Sequence, residues 1–90
     1  MAKIKGITTS GFNFTLDPED MNDMRVIEAL AEVEKGNVLY VIDLIKLMLG
    51  EKQKEALYKH VANKEGKVSP ELCMAEIKEI FEKAGNEVKN

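Results

Sequence analysis

The sequence predicts a mainly α-helical fold, a compact bundle of about four helices preceded by a short extended or β-hairpin segment. Three observations carry that expectation. Apolar residues recur at three- and four-residue spacing from Met21 onward. Glycine or proline separates the periodic runs, at Gly36, Gly50, Gly66 and Pro70. Only the stretch before Asp17 alternates with the period of a half-buried strand, Phe12, Phe14 and Leu16 against Asn13 and Thr15.

Residues 1–17 form the N-terminal segment. Ile4 and Ile7 precede Thr8-Thr9-Ser10-Gly11, a turn-forming stretch, so the segment reads either as a short hairpin or as an extended arm. Asp17-Pro18 closes it, because proline disfavours helix at the residue before it. Residues 18–85 make up the helical domain. Glu19, Asp20 and Asp23 place negative charge where a first helical turn favours it. From about Met21 to Glu34 the spacing of Met24, Ile27, Leu30 and Ala31 predicts an amphipathic helix, ended by Gly36.

Asn37 is the expected cap of a central helix over 38–49. Ten of its twelve residues are apolar, so almost every face calls for burial, with Asp43 and Lys46 on the one wet face. Gly50 suits its C-terminal cap. A third helix over 51–63 turns Leu57 and Val61 inward and sets Glu55 one turn before Lys59. After a polar loop over 63–67, Ser69 and Pro70 supply an N-cap and a first helical residue. The fourth helix then carries the stripe Cys73, Ile77, Ile80, Phe81 and Ala84 and ends at Gly85. Residues 86–90 read as a polar tail that frays.

Ninety residues make one domain with a modest core. The net charge of −3 is uneven: residues 1–45 hold four Lys/Arg against eight Asp/Glu, residues 46–90 nine against eight. No basic stripe of the kind nucleic acid requires is formed, so no nucleic-acid partner is expected. The longest apolar run is too short and too interrupted for a membrane span, which needs roughly 20 residues, so no membrane partner is expected and the chain reads as cytosolic. With Cys73 alone, neither an intrachain disulfide nor a cysteine-based zinc set can form.

The residues that invite chemistry have plainer explanations. His60 is the sole histidine, and its helical neighbours Ala56 and Lys64 offer neither nucleophile nor carboxylate, so it reads as a surface or rim residue. Cys73 lies on an apolar stripe, where a free cysteine behaves as a small hydrophobe. Asp17, Glu19, Asp20 and Asp23 fail the calcium-loop pattern, since Met21 and Asn22 stand where a ligand and a glycine belong. The glycines are scattered and form no phosphate cradle. The expectation is therefore a non-enzymatic protein with no metal and no cofactor. Its candidate partner-binding residues are Phe12, Phe14 and Leu16, followed by Met21 and Met24, whose thioethers suit adaptable surfaces. For the two phenylalanines, core packing is the safer reading, because exposed large apolar patches are uncommon on monomers, and addition of a strand to a partner's sheet edge is the alternative.

The order of segments is itself informative. Asp-Met-Arg-Val-Ile-Glu-Ala-Leu-Ala-Glu (23–32) is followed by Leu-Met-Leu-Gly-Glu-Lys-Gln-Lys-Glu-Ala-Leu (47–57). Then come Gly-Lys-Val-Ser-Pro-Glu-Leu (66–72) and Glu-Ile-Lys-Glu-Ile-Phe-Glu (76–82). Over residues 12–84 this arrangement resembles the tail assembly chaperones of long-tailed phages and of prophages in Gram-positive bacteria. The resemblance implies a chaperone that binds the tape measure protein and recruits tail tube protein in the host cytoplasm, self-associates into homo-oligomers, and is absent from the finished virion. The rival reading is a small helical adaptor or inhibitor that masks one phage or host protein, because a four-helix arrangement serves both.

Overall fold

Asn13 to Leu16 lie back against Ile4 to Ile7, so the N-terminal segment is a hairpin. In this computed structural model, which describes residues 3–89, β1 (Ile4–Ile7) and β2 (Asn13–Leu16) pair antiparallel, with Ile4 opposite Leu16 and Gly6 opposite Phe14. The Gly11 amide donates to the Thr8 carbonyl at 2.9 Å, and Gly11 itself takes φ 98°, which closes the turn. Strand alternation sends Phe12, Phe14 and Leu16 to the inner face, where all three are buried, while Asn13 faces solvent. Gly6 has a packing role. A Cβ there would stand 2.6 Å from Cζ of Phe14, so the ring occupies the space that a side chain on β1 would need.

Four helices follow: α1 (Pro18–Met21), α2 (Met24–Glu34), α3 (Tyr40–Val61) and α4 (Pro70–Lys89). β2 lies on α3 and β1 on α4, and both α2 and α4 pack against α3. A single core runs through all of them, from Phe14 and Leu16 to Leu44, Ile45, Met48, Leu57, Ile77 and Ile80.

The expected helix over 21–34 divides at Asn22. Asp17 caps α1 by accepting from the Glu19 amide at 3.0 Å, and Asp23 caps α2 by accepting from the Arg25 amide at 2.8 Å. Two capping aspartates six residues apart define two starts, so the acidic run belongs to two helix entrances. The Arg25 guanidinium also hydrogen-bonds Asp23, holding that carboxyl below its ordinary range. The buried stripe of α2 is Val26, Ala29 and Val33, with Leu30 half-buried. Met24 and Ile27 point outward, contrary to the predicted phase. Both patterns have helical period, and packing against α3 selects between them.

Asn37 does not cap α3: its side-chain amide hydrogen-bonds the Glu32 carboxylate, and α3 begins without a side-chain cap. The expected break at Gly50 is present. Gly50 takes φ 80° and ψ 170° inside α3 and splits it into arms over 40–49 and 51–61. The second arm ends at Val61. Beyond it Asn63 organises the loop, accepting from the amides of Glu65 and Lys67 at 2.9 and 3.0 Å. Ser69 accepts from the Leu72 amide at 3.3 Å and caps α4 as expected. The buried stripe Cys73, Ile77, Ile80 and Ala84 also matches, with Phe81 half-buried. Gly85 does not end α4, which continues to Lys89. Gly85 stays out of the positive-φ region that a glycine C-cap uses, and no proline follows it. Asn90 lies outside the described residues.

Two substitutions test this architecture. Phe14→Ala empties a site that is 2% exposed and should lower stability by about 3–5 kcal/mol in urea denaturation, whereas Asn13→Ala should change it little. Gly50→Ala forces a side chain into a backbone region almost reserved for glycine and should cost about 1–3 kcal/mol.

Candidate interaction surface

The hairpin is fastened by polar side chains at both ends. At the turn, Thr8 and Ser10 donate to the two carboxylate oxygens of Glu76, at 2.8 and 2.7 Å. The backbone amide and hydroxyl of Thr9 both donate to Oε2 of Glu79, at 2.7 and 2.8 Å. Thr8 and Glu76 are buried, so the buried carboxylate has both oxygens satisfied by hydroxyls. At the other end Gln53 acts as a stub of a third strand. Its Oε1 accepts from the Thr15 amide at 2.8 Å, and its Nε2 donates to the Thr15 carbonyl at 2.7 Å. The same Nε2 donates to the Leu49 carbonyl at 2.9 Å, beside the break at Gly50.

Folding brings a hydroxyl to His60 that its helical neighbours do not supply. Nε2 lies 2.9 Å from Oγ of Ser10, and the ring sits 5.5 Å from that of Phe12. The arrangement differs from a nucleophile–base pair. The Ser10 hydroxyl also reaches Oε2 of Glu76 at 2.7 Å, so the carboxylate sits on the serine rather than behind the histidine. His60 is exposed, and the cluster holds the turn of the hairpin against α3 and α4.

Of the five residues expected to contact a partner, Phe12, Phe14 and Leu16 lie in the core. Their side chains are committed to α3 and α4, so a partner reaches them only if the hairpin lifts. Met21 is half-buried against the core. Met24 is 71% exposed at the start of α2.

The open apolar surface lies elsewhere. Val38, Leu39 and Ile42 are exposed around the start of α3, Leu39 at 78%. With Val41 and Ile45 they form one wall of a groove of 290 Å³, and Tyr58, Val68, Pro70 and Cys73 complete it from the second arm, the loop and α4. No lining side chain is charged. At its edge Lys54 sits 5.5 Å from the centre of the Tyr58 ring and pairs with Glu51 at 3.0 Å. That hydrogen bond holds the Glu51 carboxyl below its ordinary range and the Lys54 ammonium above its own. The sequence leaves only the face of Asp43 and Lys46 on this helix in water, so the exposure of Val38, Leu39 and Ile42 departs from that expectation. The signal for the groove was present in a helix apolar on nearly every face, within a chain too short to surround it. A second cleft of 410 Å³ between α2 and α3 is lined by charges of both signs, among them Arg25, Glu28, Asp43 and Lys46.

Comparison with protein-family models, curated proteins and solved structures finds no match for this chain.

Among the described residues no group of three or more His, Cys, Asp or Glu side chains is placed to hold a metal ion. No described helix is long and apolar enough to cross a membrane. Cys73 is buried at the base of the groove. Desolvation first, and the nearby Glu76 charge second, push its thiol above the ordinary range.

Glu76→Ala should lower stability by about 1–3 kcal/mol, since the buried Thr8 hydroxyl loses its acceptor; Glu76→Gln should lose less, and urea denaturation measures both. Because a raised pKa means less thiolate at a given pH, Cys73 should react with a thiol reagent more slowly than free cysteine at pH about 8. The half-point of its pH–rate profile should move upward, and denaturant should restore the ordinary rate.

Proposed function

We propose that this chain is a non-catalytic phage tail assembly chaperone that holds apolar helical segments of the tape measure protein and recruits tail tube protein in the host cytoplasm. The observation that carries the binding role is the uncharged groove walled by Val38, Leu39 and Ile42, which are exposed although they belong to the most apolar stretch of the chain. An amphipathic helix laid into such a groove is a recurring mode of recognition. The client's identity is supported by the resemblance in segment order over residues 12–84.

The energetics suit temporary holding. Each large aliphatic side chain that leaves water is worth about 1.5–3 kcal/mol, and association itself has an entropic cost. A groove that seats two or three such side chains binds weakly at one site. A long client with many apolar stretches then gains by engaging many copies, each of which can leave as assembly proceeds.

Co-expression with the candidate tape measure protein, followed by size-exclusion chromatography, tests the proposal. The expected result is co-elution and a soluble partner. Leu39→Asp should remove both while leaving helix content unchanged, because Leu39 projects into solvent. A tape measure protein that stays insoluble beside folded wild-type chain would sink the chaperone reading.

A further inference from the structure

One edge of the hairpin is closed and the other is open. Thr15 stands opposite Lys5, and its amide and carbonyl turn away from β1 to Gln53. In an antiparallel pair, two opposite residues either bond each other or both turn their backbone groups away. Lys5 therefore sends its amide and carbonyl out on the far side of β1, and Ile7, opposite Asn13, does the same. The bond from the Thr8 amide to the Phe12 carbonyl, at 2.9 Å, fixes the same phase from the turn. Among the described residues no hydrogen-bond partner meets these four outward groups. Lys5 and Ile7 are also exposed, Ile7 at 52%. An open edge is a template for pairing, and most proteins blunt it. This chain blunts the β2 edge alone.

The open edge carries positive charge. Residues 1–16 hold Lys3 and Lys5 and no Asp or Glu, in a chain of net charge −3. Lys3, Lys5 and Ile7 are exposed and alternate with the half-buried Ile4 and Gly6, so the three share the outer face. Among the described residues neither lysine forms an ion pair. The carboxylates that α4 brings to the turn are already engaged. Glu76 is buried under the hydroxyls of Thr8 and Ser10, and Glu79 holds Thr9 and pairs with Lys83 at 3.9 Å.

From these observations we infer that β1 is a docking edge for an extended acidic segment of a partner protein, which adds a third strand through the backbone of Lys5 and Ile7. A row of outward amides and carbonyls matches a strand, whereas a helix spends its own backbone groups internally. The added strand sets Glu or Asp beside Lys3 and Lys5 and an apolar side chain beside Ile7. A second copy is the poorer occupant, because β1 laid against β1 about Lys5 brings like charges together. Phe12 and Phe14 belong to the other side of the hairpin, so the edge that is free to pair is not theirs. The edge shares no residue with the groove, and the inference does not rest on the chaperone reading.

A blocked peptide of sequence Val-Thr-Glu-Val-Glu tests this, since antiparallel pairing sets it opposite Ile7 through Lys3. The readout is NMR of the full chain with amide hydrogen exchange. In the free chain the Lys5 and Ile7 amides should exchange fast, and those of Gly6 and Thr8 slowly. The peptide, titrated to about 1 mM, should protect Lys5 and Ile7 and leave the amide of Leu39 unmoved. Lysine in place of both glutamates should weaken binding at least about tenfold, and so should Lys5→Glu. Ile7→Pro removes one outward donor where an edge strand tolerates proline, and it should weaken binding at least about tenfold as well. Circular dichroism checks both variants. Should Ile7→Pro lose the fold, the peptide N-methylated at its first glutamate takes its place.

No binding up to that concentration would overturn the inference. So would binding that leaves Lys5 and Ile7 unprotected, equal affinity for the lysine peptide, or an Ile7→Pro chain that binds like wild type. Protection of these two amides in the peptide-free chain as its concentration rises would put a second copy in the edge, and that too overturns it. Loss of tape measure capture in Leu39→Asp with peptide binding retained would separate the two surfaces.

Discussion

Phe12, Phe14 and Leu16 bury the inner face of the hairpin against α3 and α4, and the rest of the core is arranged around that contact. Apolar burial draws the hairpin down but does not fix where it sits, and an isolated two-stranded hairpin is marginal in water. Its position is fixed by directional bonds at both ends, from Gln53 to the Thr15 backbone and from the turn to Glu76 and Glu79. Gln53 also reaches the break at Gly50, because its amide donates to the Leu49 carbonyl beside it. The bend in α3 and the register of β2 are therefore coupled through a single side chain. Residues far apart in sequence meet only if the first arm of α3 ends where it does.

That arrangement decides which apolar surface stays open. The arm over 40–49 turns Val41, Leu44, Ile45, Met48 and Leu49 into the core, where the hairpin, α2 and α4 cover them. With those elements used, nothing remains in the described chain to lie over Val38, Leu39 and Ile42. A small domain leaves a larger share of its surface uncovered than a large one, and here the uncovered share includes side chains whose natural place is a core. Scattered exposed aliphatics would need no explanation, but neighbours that wall one uncharged groove do.

The architecture was legible from local chemistry wherever one signal decided an element. Gly50, Ser69-Pro70 and the polar loop over 63–67 each act over a few residues, and each was read correctly. The alternation of Phe12, Phe14 and Leu16 gave strand period, although choosing a hairpin over an arm needed the partners at Glu76 and Gln53, which lie 38 or more residues away. Errors arose where two local patterns competed. On α2 two sets of apolar residues fit the helical period, and only the contact with α3 chooses between them. Asn37 has the chemistry of a cap, but Glu32, five residues before it, engages the side chain instead. The candidate surface was the least legible part. For Phe12 and Phe14 the sequence favours core packing and leaves a partner's sheet edge as the alternative; burial decides for the core, through tertiary partners that no local pattern names. Leu39 was judged as core because its helix is apolar, and whether a neighbour covers it is a property of the whole chain.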